Sequence, residues 1–172
     1  MIFERWLMPD EVFPDFSSVT PAMLRARGIR YVFSDIDNTL ATYDDPTPPP
    51  DTARWLRSME EAGIRVVFVS NNGRERVESF AGPAGCPAYW KARKPLVGIL
   101  KRAAREAGAS AEESLLLGDQ LLTDAAAGKR CGMTVFIVPP IRDKTTLFWR
   151  IKRRIERPYM EKFARSRGTG RG

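Results

Sequence analysis

The stretch IRYVFSDIDNTL, residues 29–40, places two aspartates and a threonine directly after a short apolar run rich in β-branched residues. Runs of the same kind occur at 64–70 (IRVVFVS), 114–118 (SLLLG) and 133–138 (MTVFIV), with a weaker one at 88–90. They alternate with longer segments of helical spacing. This alternation is typical of α/β domains and predicts a mostly parallel central sheet flanked by helices.

Four of the intervening segments carry signals for the start or end of a helix. Asp51 can cap a helix over 51–62, and Gly63 follows as its stop. Pro95 fits the first turn of a helix over 95–107, which Gly108 would end. Shorter helices are predicted over 74–80 and 121–131.

Histidine is absent from the 172 residues. This absence excludes Ser-His-Asp and Cys-His nucleophiles, histidine general bases and histidine-ligated zinc or haem. Any catalysis must therefore use carboxylates, lysine, hydroxyls or thiols.

The net charge of +7 is unevenly distributed along the chain. Residues 1–140 contain 17 Lys and Arg against 18 Asp and Glu, whereas residues 141–172 contain 11 against 3. We predict a globular domain with an N-terminal extension over 1–140, a basic amphipathic segment over 141–164 and a disordered tail over 165–172. Neither a signal peptide nor a run of 18 apolar residues is evident, so we expect a cytoplasmic protein.

Polar residues follow each of the predicted strands. Ligands of parallel α/β sheets bind beyond the carboxyl ends of the strands, so these residues are the candidate site. Taken one at a time, such residues are more often helix caps, turn formers or solvated surface groups. The candidates are Asp35, Asp37, Asn38 and Thr39 after the first run, Ser70, Asn71 and Asn72 after the second, Asp119 and Asp124 after the third, and Lys94 ahead of a helix.

Together these residues resemble the four motifs of the haloacid dehalogenase (HAD) superfamily of phosphotransferases. Residues 35–39 match its DxDxT motif, and Ser70 matches its second-strand hydroxyl. Lys94 matches its lysine, and 118–124 match its GDxxxxD motif. The resemblance implies a Rossmann-like fold and a phosphatase that works through an aspartyl-phosphate.

The same resemblance implies a role for each residue. Asp35 would be the nucleophile and Asp37 the general acid and base. A carboxylate can attack an anionic phosphate ester only where a cation screens the repulsion, and Mg²⁺ prefers hard oxygen ligands. Asp35, Asp119 and the main-chain carbonyl of Asp37 would hold Mg²⁺. Asp124 would contribute through a bound water or by contacting one of these ligands. Thr39, Ser70, Asn71 and Lys94 would bind the phosphate.

The chain has little room for a cap domain, because 10 residues (41–50) separate the first motif from the next helix and 23 separate Ser70 from Lys94. Over residues 7–157 it is most similar to the capless YqeG-type phosphatases of subfamily IIIA. Related members dephosphorylate phosphatidylglycerophosphate, which suggests a phospholipid headgroup as substrate. A soluble sugar or nucleotide phosphate is the alternative.

The basic C-terminal segment leaves three interpretations open. On a helical projection Leu147, Phe148, Ile151 and Ile155 share one arc and arginines lie opposite, as in helices at a membrane surface. Contact with a membrane through 147–163 is one interpretation, and packing of the apolar arc on the domain is another. The third is a non-catalytic RNA- or ribosome-associated protein, although no RNA-reading motif accompanies the charge and nucleic acid is the least favoured partner.

Overall fold

A computed structural model describes residues 4–142, 154 and 156–163. Its centre is a six-stranded sheet made of β1 (Glu11–Val12), β2 (Tyr31–Ser34), β3 (Arg65–Val69), β4 (Ala88–Tyr89), β5 (Ser114–Gly118) and β6 (Thr134–Ile137). The strands lie in the order β1-β6-β5-β2-β3-β4, and every pair of neighbours is parallel. The prediction of an α/β domain with a parallel sheet is confirmed.

Helices cover both faces of this sheet and connect its strands. No sizeable cap interrupts the described residues, since the first motif is followed by loop 42–49 and then by a helix. The helices are α1 (Glu4–Leu7), α2 (Pro21–Ala26), α3 (Pro50–Glu61), α4 (Arg74–Ala84), α5 (Gly98–Ala107) and α6 (Ala126–Arg130). A 3₁₀ turn (Phe16–Ser18), a π-helical turn (Leu121–Ala125) and a helix over 156–163, here the C-terminal helix, complete the described elements.

Alternate residues of the central strands pack into two hydrophobic clusters, one on each face. In β2, Val32 belongs to the cluster that includes Trp55 of α3, and Phe33 belongs to the cluster that includes Leu100 of α5. Successive side chains of a strand point to opposite faces of the sheet. Because both faces are buried here, the strands need apolar residues at every position rather than an alternation of apolar and polar residues. The core therefore fixes β2 and β5 at the centre of the domain.

Two predicted helix starts are wrong. Helix α5 begins at Gly98 rather than Pro95, because both backbone groups of Lys94 are bonded to the Asn71 side chain and hold this segment against the loop after β3. Asp51 is not a cap, because α3 begins one residue earlier, at Pro50, and Asp51 lies in its first turn. In addition, α4 continues to Ala84 and the segment after β5 starts with the π-helical turn.

The two ends of the described chain meet near β6. The N-terminal segment supplies edge strand β1, and Asp10 accepts hydrogen bonds from the Val135 backbone and from Lys129. Tyr159 and Met160 of the C-terminal helix pack on the cluster beneath β6, and Glu156 accepts a hydrogen bond from the Leu122 backbone.

Most of the predicted amphipathic segment lies outside the described residues, including 147–153 and 155, which contain its apolar arc. The predicted disordered tail over 165–172 also lies outside them. Where residues 156–163 are described, their apolar side packs on the domain while Arg157 and Lys162 are exposed. Among the described helices, none is both long and apolar enough to span a membrane.

Candidate active site

Three aspartates from two neighbouring strand ends form a buried cluster at the carboxyl edge of the sheet. Asp35 follows β2, and its backbone N–H donates to the Leu117 carbonyl of β5 at 2.9 Å, so the two strands remain paired up to the site. Asp119 follows β5 directly, and Asp124 comes from the π-helical turn. One carboxylate oxygen from each aspartate lies within 4.8 Å of the others.

Lys94 lies between two of these carboxylates. Its Nζ is 3.1 Å from Asp35 Oδ1 and 2.7 Å from Asp124 Oδ1, and its side chain is 1% exposed. Asn71 positions the lysine from the end of β3, because its Oδ1 accepts the Lys94 N–H at 2.7 Å and its Nδ2 donates to the Lys94 carbonyl at 3.2 Å. Both atoms of the Asn71 amide are thus engaged in holding Lys94.

Burial and charge act in opposite directions on these groups. Burial raises the pKa of Asp35 to about 6, with a further contribution from the Asp124 charge, although the Lys94 ammonium lowers it. Burial by itself would lower the pKa of Lys94, but the Asp124 and Asp35 carboxylates raise it above its ordinary value. Lys94 is therefore a cation at any pH at which the protein works.

Gly118 allows Asp124 to approach the strand end. A Cβ at this position would lie 2.4 Å from the Asp124 side-chain carbon, closer than real contacts allow. Asp124 Oδ2 accepts the Gln120 N–H at 3.2 Å and Asp119 Oδ1 accepts from the Gln120 side chain at 3.2 Å, so the turn holds both carboxylates. A residue without a side chain is required at the end of β5.

Asp37 is buried in a separate set of contacts two residues after Asp35. Its Oδ2 accepts from Asn72 Nδ2 at 2.6 Å, and its Oδ1 accepts from Arg76 Nε and Nη2 at 3.0 and 2.9 Å. The Arg76 guanidinium also donates to the carbonyls of Thr42 and Asp45. Arg76 therefore ties Asp37, helix α4 and the loop after the first motif together.

Tyr43 on that loop stands beside the site. Burial, together with the carboxylates of Asp37, Asp35 and Asp119, raises the pKa of its phenol to about 12, and Asn72 shares a hydrogen bond with it. The phenol is thus close to the predicted site while 41% of the residue remains exposed.

The two predicted hydroxyl groups are buried at the same edge. Thr39 Oγ1 meets no hydrogen-bond partner among the described residues. Ser70 Oγ accepts the Asn72 N–H at 3.1 Å and so shapes the turn after β3. The structure thus joins Asp35, Lys94 and Asp124 by direct contact and brings a carboxylate oxygen of Asp119 within 4.8 Å of those of Asp35 and Asp124. It places Asp37, Thr39, Ser70 and Asn71 around them at the same edge.

Sequence reasoning missed Arg76 and Tyr43, and it named Asn72 as a candidate without giving it a role beyond a turn. Arg76 lies in a segment read solely as a helix, and no spacing rule connects it with Asp37. One signal was available. Arg76 is four residues after Asn72, so both can face the same direction at the start of a helix that follows a strand end.

The donor set fits a divalent cation. Four carboxyl groups, those of Asp35, Asp37, Asp119 and Asp124, face two cationic side chains here, Lys94 and Arg76. Buried charges of one sign need compensation, and carboxylate oxygens are the ligands that Mg²⁺ prefers. Asp35 and Asp119 offer such oxygens on adjacent strand ends.

Comparison with known proteins agrees with this geometry. Residues 5–132 match the profile of the haloacid dehalogenase-like hydrolases. The chain is 36% identical over 156 residues to "Probable phosphatase YqeG" of Bacillus subtilis, covering 91% of both proteins. It is 30% identical over 147 residues to the chloroplastic phosphatidylglycerophosphate phosphatase 1 of Chlamydomonas reinhardtii, covering 78% of this chain and 53% of that protein.

Solved structures show the same fold. CbbY of Rhodobacter sphaeroides, solved in complex with phosphate, superimposes with a TM-score of 0.55 at 15% identity, over 70% of this chain and 90% of CbbY. A β-phosphoglucomutase-like protein of Thermotoga maritima also superimposes with a TM-score of 0.55, at 11% identity and over the same shares of the two chains.

Proposed function

The chain belongs to the haloacid dehalogenase-like hydrolases and is a phosphatase of that family, and on this premise we propose that it hydrolyses a phosphomonoester through a covalent aspartyl-phosphate on Asp35. The observation that carries the proposal is the Lys94 ammonium, which lies between Asp35 and Asp124 within a cluster of buried carboxylates. A lysine so placed fixes a carboxylate and leaves positive charge where a phosphoryl group would arrive.

Asp35 is the nucleophile in this scheme. Lys94 contacts its Oδ1, and we assign the attack on phosphorus to the other oxygen. The new bond joins Asp35 to phosphorus while the bond from phosphorus to the leaving alcohol oxygen breaks. Lys94, Thr39, Ser70 and the backbone N–H of Asn71 bind the phosphoryl oxygens. The Asn71 side chain supports this arrangement indirectly, since it holds Lys94.

Asp37 moves the proton in both half-reactions. It donates a proton to the leaving alcohol and then takes one from the water that attacks the aspartyl-phosphate, which restores Asp35 and releases inorganic phosphate. Asn72 and Arg76 contact its two oxygens and orient the carboxyl. We assign both residues to positioning Asp37 rather than to contact with the phosphate.

Mg²⁺ is the cofactor we propose, held by Asp35, Asp119 and the main-chain carbonyl of Asp37, with Asp124 supporting them. When bound it neutralises the charge on the attacking carboxylate and the phosphate. The cluster of carboxylate oxygens from Asp35, Asp119 and Asp124 supports this choice, because Mg²⁺ prefers hard oxygen ligands.

For the substrate we propose phosphatidylglycerophosphate at a membrane surface. The name of the Chlamydomonas relative supports this choice, as does the basic C-terminal segment. Exposed Arg154, Arg157 and Lys162 suit an anionic leaflet, to which each basic residue is attracted by about 1 kcal/mol. The apolar side of the described helix packs on the domain, so we assign membrane contact over 147–163 mainly to charge. We further propose a cytoplasmic location, peripheral to the membrane.

A trapping experiment tests the mechanism. The Asp37→Asn protein, mixed with a ³²P-labelled aryl phosphate and Mg²⁺ and quenched in acid, should retain label that hydroxylamine releases. The Asp35→Asn protein should retain none. Label retained equally by both proteins would contradict Asp35 as the nucleophile.

A substrate panel tests the lipid assignment. Phosphatidylglycerophosphate in mixed micelles should be turned over more efficiently than glycerol 3-phosphate, sugar phosphates and nucleoside monophosphates. Efficient turnover of the soluble phosphates alone would contradict it.

A further inference from the structure

A cavity of about 600 Å³ opens beyond the carboxyl ends of β1, β6 and β5. This volume is within the usual range for small-molecule sites, roughly 300–1,000 Å³. Its wall is mostly hydrocarbon, and its apolar lining includes Val12, Phe13, Leu121, Ile137, Pro140 and Met160.

Segments outside the four motifs build most of this wall. Val12 and Phe13 come from the N-terminal extension, and the Phe13 ring packs against Phe136 of β6 in a tilted arrangement with ring centroids 4.9 Å apart. Met160 comes from the C-terminal helix, which the Glu156 contact with the Leu122 backbone (3.1 Å) holds in place. The cavity is thus formed by defined packing between the two ends of the described chain.

The cavity adjoins the phosphatase centre at Asp119. Asp119 lines it, and a carboxylate oxygen of the same residue lies within 4.8 Å of oxygens of Asp35 and Asp124. A ligand whose phosphate reaches Asp35 can therefore extend into the cavity past Asp119.

A second cavity, of about 740 Å³, lacks this connection. It lies at the amino ends of β3 and β4, is lined by Arg57 and Glu60, and includes none of the site carboxylates. Size alone therefore does not identify a substrate site. The smaller cavity is the candidate because it lies at the carboxyl edge of the sheet, beside the site carboxylates.

We propose that the cavity beside Asp119 binds the hydrocarbon part of the substrate, so that the enzyme selects amphiphilic phosphomonoesters. The proposal rests on the proposed function, because the ligand is placed by its phosphate at Asp35. Phosphomonoesters without hydrocarbon leave the apolar wall in water, whereas an alkyl chain attached to the phosphate would bury it. The N-terminal extension and the C-terminal helix thereby acquire a direct role in substrate selection.

The test is a series of n-alkyl phosphates, from ethyl to decyl, assayed below their critical micelle concentrations. Each methylene buried in an apolar site should raise kcat/KM by about fourfold until the cavity is filled. Met160→Lys and Val12→Lys, on different elements, should each flatten this dependence, measured as the ratio of decyl to ethyl phosphate kcat/KM within the same variant. Ala53→Phe, in the second cavity, is the matched control and should leave the series steep.

The possible failures are distinguishable. A flat chain-length series with measurable turnover would overturn this proposal and leave the phosphatase assignment intact. A steep series that both lysine variants leave unchanged would also overturn it, by placing the alkyl chain elsewhere. Failure to hydrolyse any phosphomonoester in the presence of Mg²⁺ would instead contradict the proposed function. The thermal unfolding midpoint identifies any variant that loses its fold, and the other lysine variant then decides.

Discussion

The two edges of the sheet are built differently. At the amino edge, the turns that lead into β2 to β6 each contain a glycine with φ between 64° and 74°: Gly28, Gly63, Gly85, Gly108 and Gly132. At the carboxyl edge, the residues with positive φ are Asn38, Lys91 and Arg93, with φ of 65°, 48° and 55°. Glycine adopts this conformation freely, whereas other residues are disfavoured there. The carboxyl edge therefore carries backbone strain that the amino edge avoids, as is common at functional sites.

Charge follows the same division. Arg30 and Glu113, just ahead of β2 and β5, form an exposed pair, and such pairs contribute about 0–1 kcal/mol. The Lys94–Asp124 pair at the other edge is almost fully buried, and removing one partner of such a pair typically costs about 3–5 kcal/mol. The amino edge is built for stability, and the carboxyl edge holds charge that serves the chemistry. The following substitutions test this division.

The largest effect is expected for Asp35→Asn. Loss of the nucleophile should lower kcat for an aryl phosphate by at least about 10³-fold. The free energy of unfolding, from urea titration, should not fall, since burial already disfavours the charge on Asp35. Asp51→Asn, at an exposed position in α3, is the control. Activity within tenfold of the unmodified protein would contradict the assignment.

Arg76→Gln should have the next largest effect. It removes the guanidinium that holds Asp37 Oδ1, and a displaced acid or base costs about 100-fold in kcat. The loss should be smaller for an aryl phosphate with a good leaving group than for an alkyl phosphate, whose alcohol needs a proton. A general loss of structure would lower both rates equally. The control is Arg74→Gln, on the same helix, where the arginine is exposed and pairs with Glu78.

At the amino edge, Gly63→Ala should affect stability alone. A Cβ at Gly63 meets no atom within 4 Å, so the cost comes from the backbone conformation and should be about 1–2 kcal/mol. The kcat/KM of the folded protein should not change. Gly82→Ala, inside α4 with equal space and no positive φ, should cost less, because a gain in helix propensity of up to about 1 kcal/mol offsets the restriction that Pro83 puts on a preceding residue with a Cβ. Equal effects of the two substitutions would remove the basis for the comparison.

The smallest effect is expected for Arg93→Gly at the carboxyl edge. Glycine relieves the left-handed conformation but loses more chain entropy on folding, so the net gain in unfolding free energy should be about 0.5–1 kcal/mol. Lys101→Gly, at an exposed position inside α5, should change stability in the opposite direction by a similar amount. A loss of stability in Arg93→Gly would show that the Arg93 side chain is more important than its backbone strain.

The sequence predicted what is local and periodic. Strand β5 matches its predicted bounds of 114–118, because a fully buried strand reads as an uninterrupted apolar run. Strand β1 was missed because its two residues, Glu11 and Val12, are too few to show the hydrophobic pattern of a strand. They form a strand only by pairing with β6. The start of α5 was misplaced because the Asn71–Lys94 contact overrides the preference of Pro95 for a first helical turn.

The candidate site divides in the same way. Asp35, Asp119 and Asp124 could be predicted because each belongs to a motif at a strand end. The contacts of Arg76 and Tyr43 could not be predicted, because they depend on the packing of α4 against the loop after β2. Sequence spacing carries no information on that packing.

The strand order also determines when the site can exist during synthesis of the chain on the ribosome. Strand β2 can pair with β3 as soon as residue 69 has emerged, but its other neighbour, β5, ends at residue 118. Until residue 124 has emerged, Asp35 lacks the Asp119 and Asp124 carboxylates, and Lys94 lacks its buried position between Asp35 and Asp124. Strand β1 waits longest, because Glu11 pairs opposite Phe136. The first strand to be synthesised is thus the last to be paired, and the cavity wall that begins at Val12 closes only after the rest of the sheet has formed.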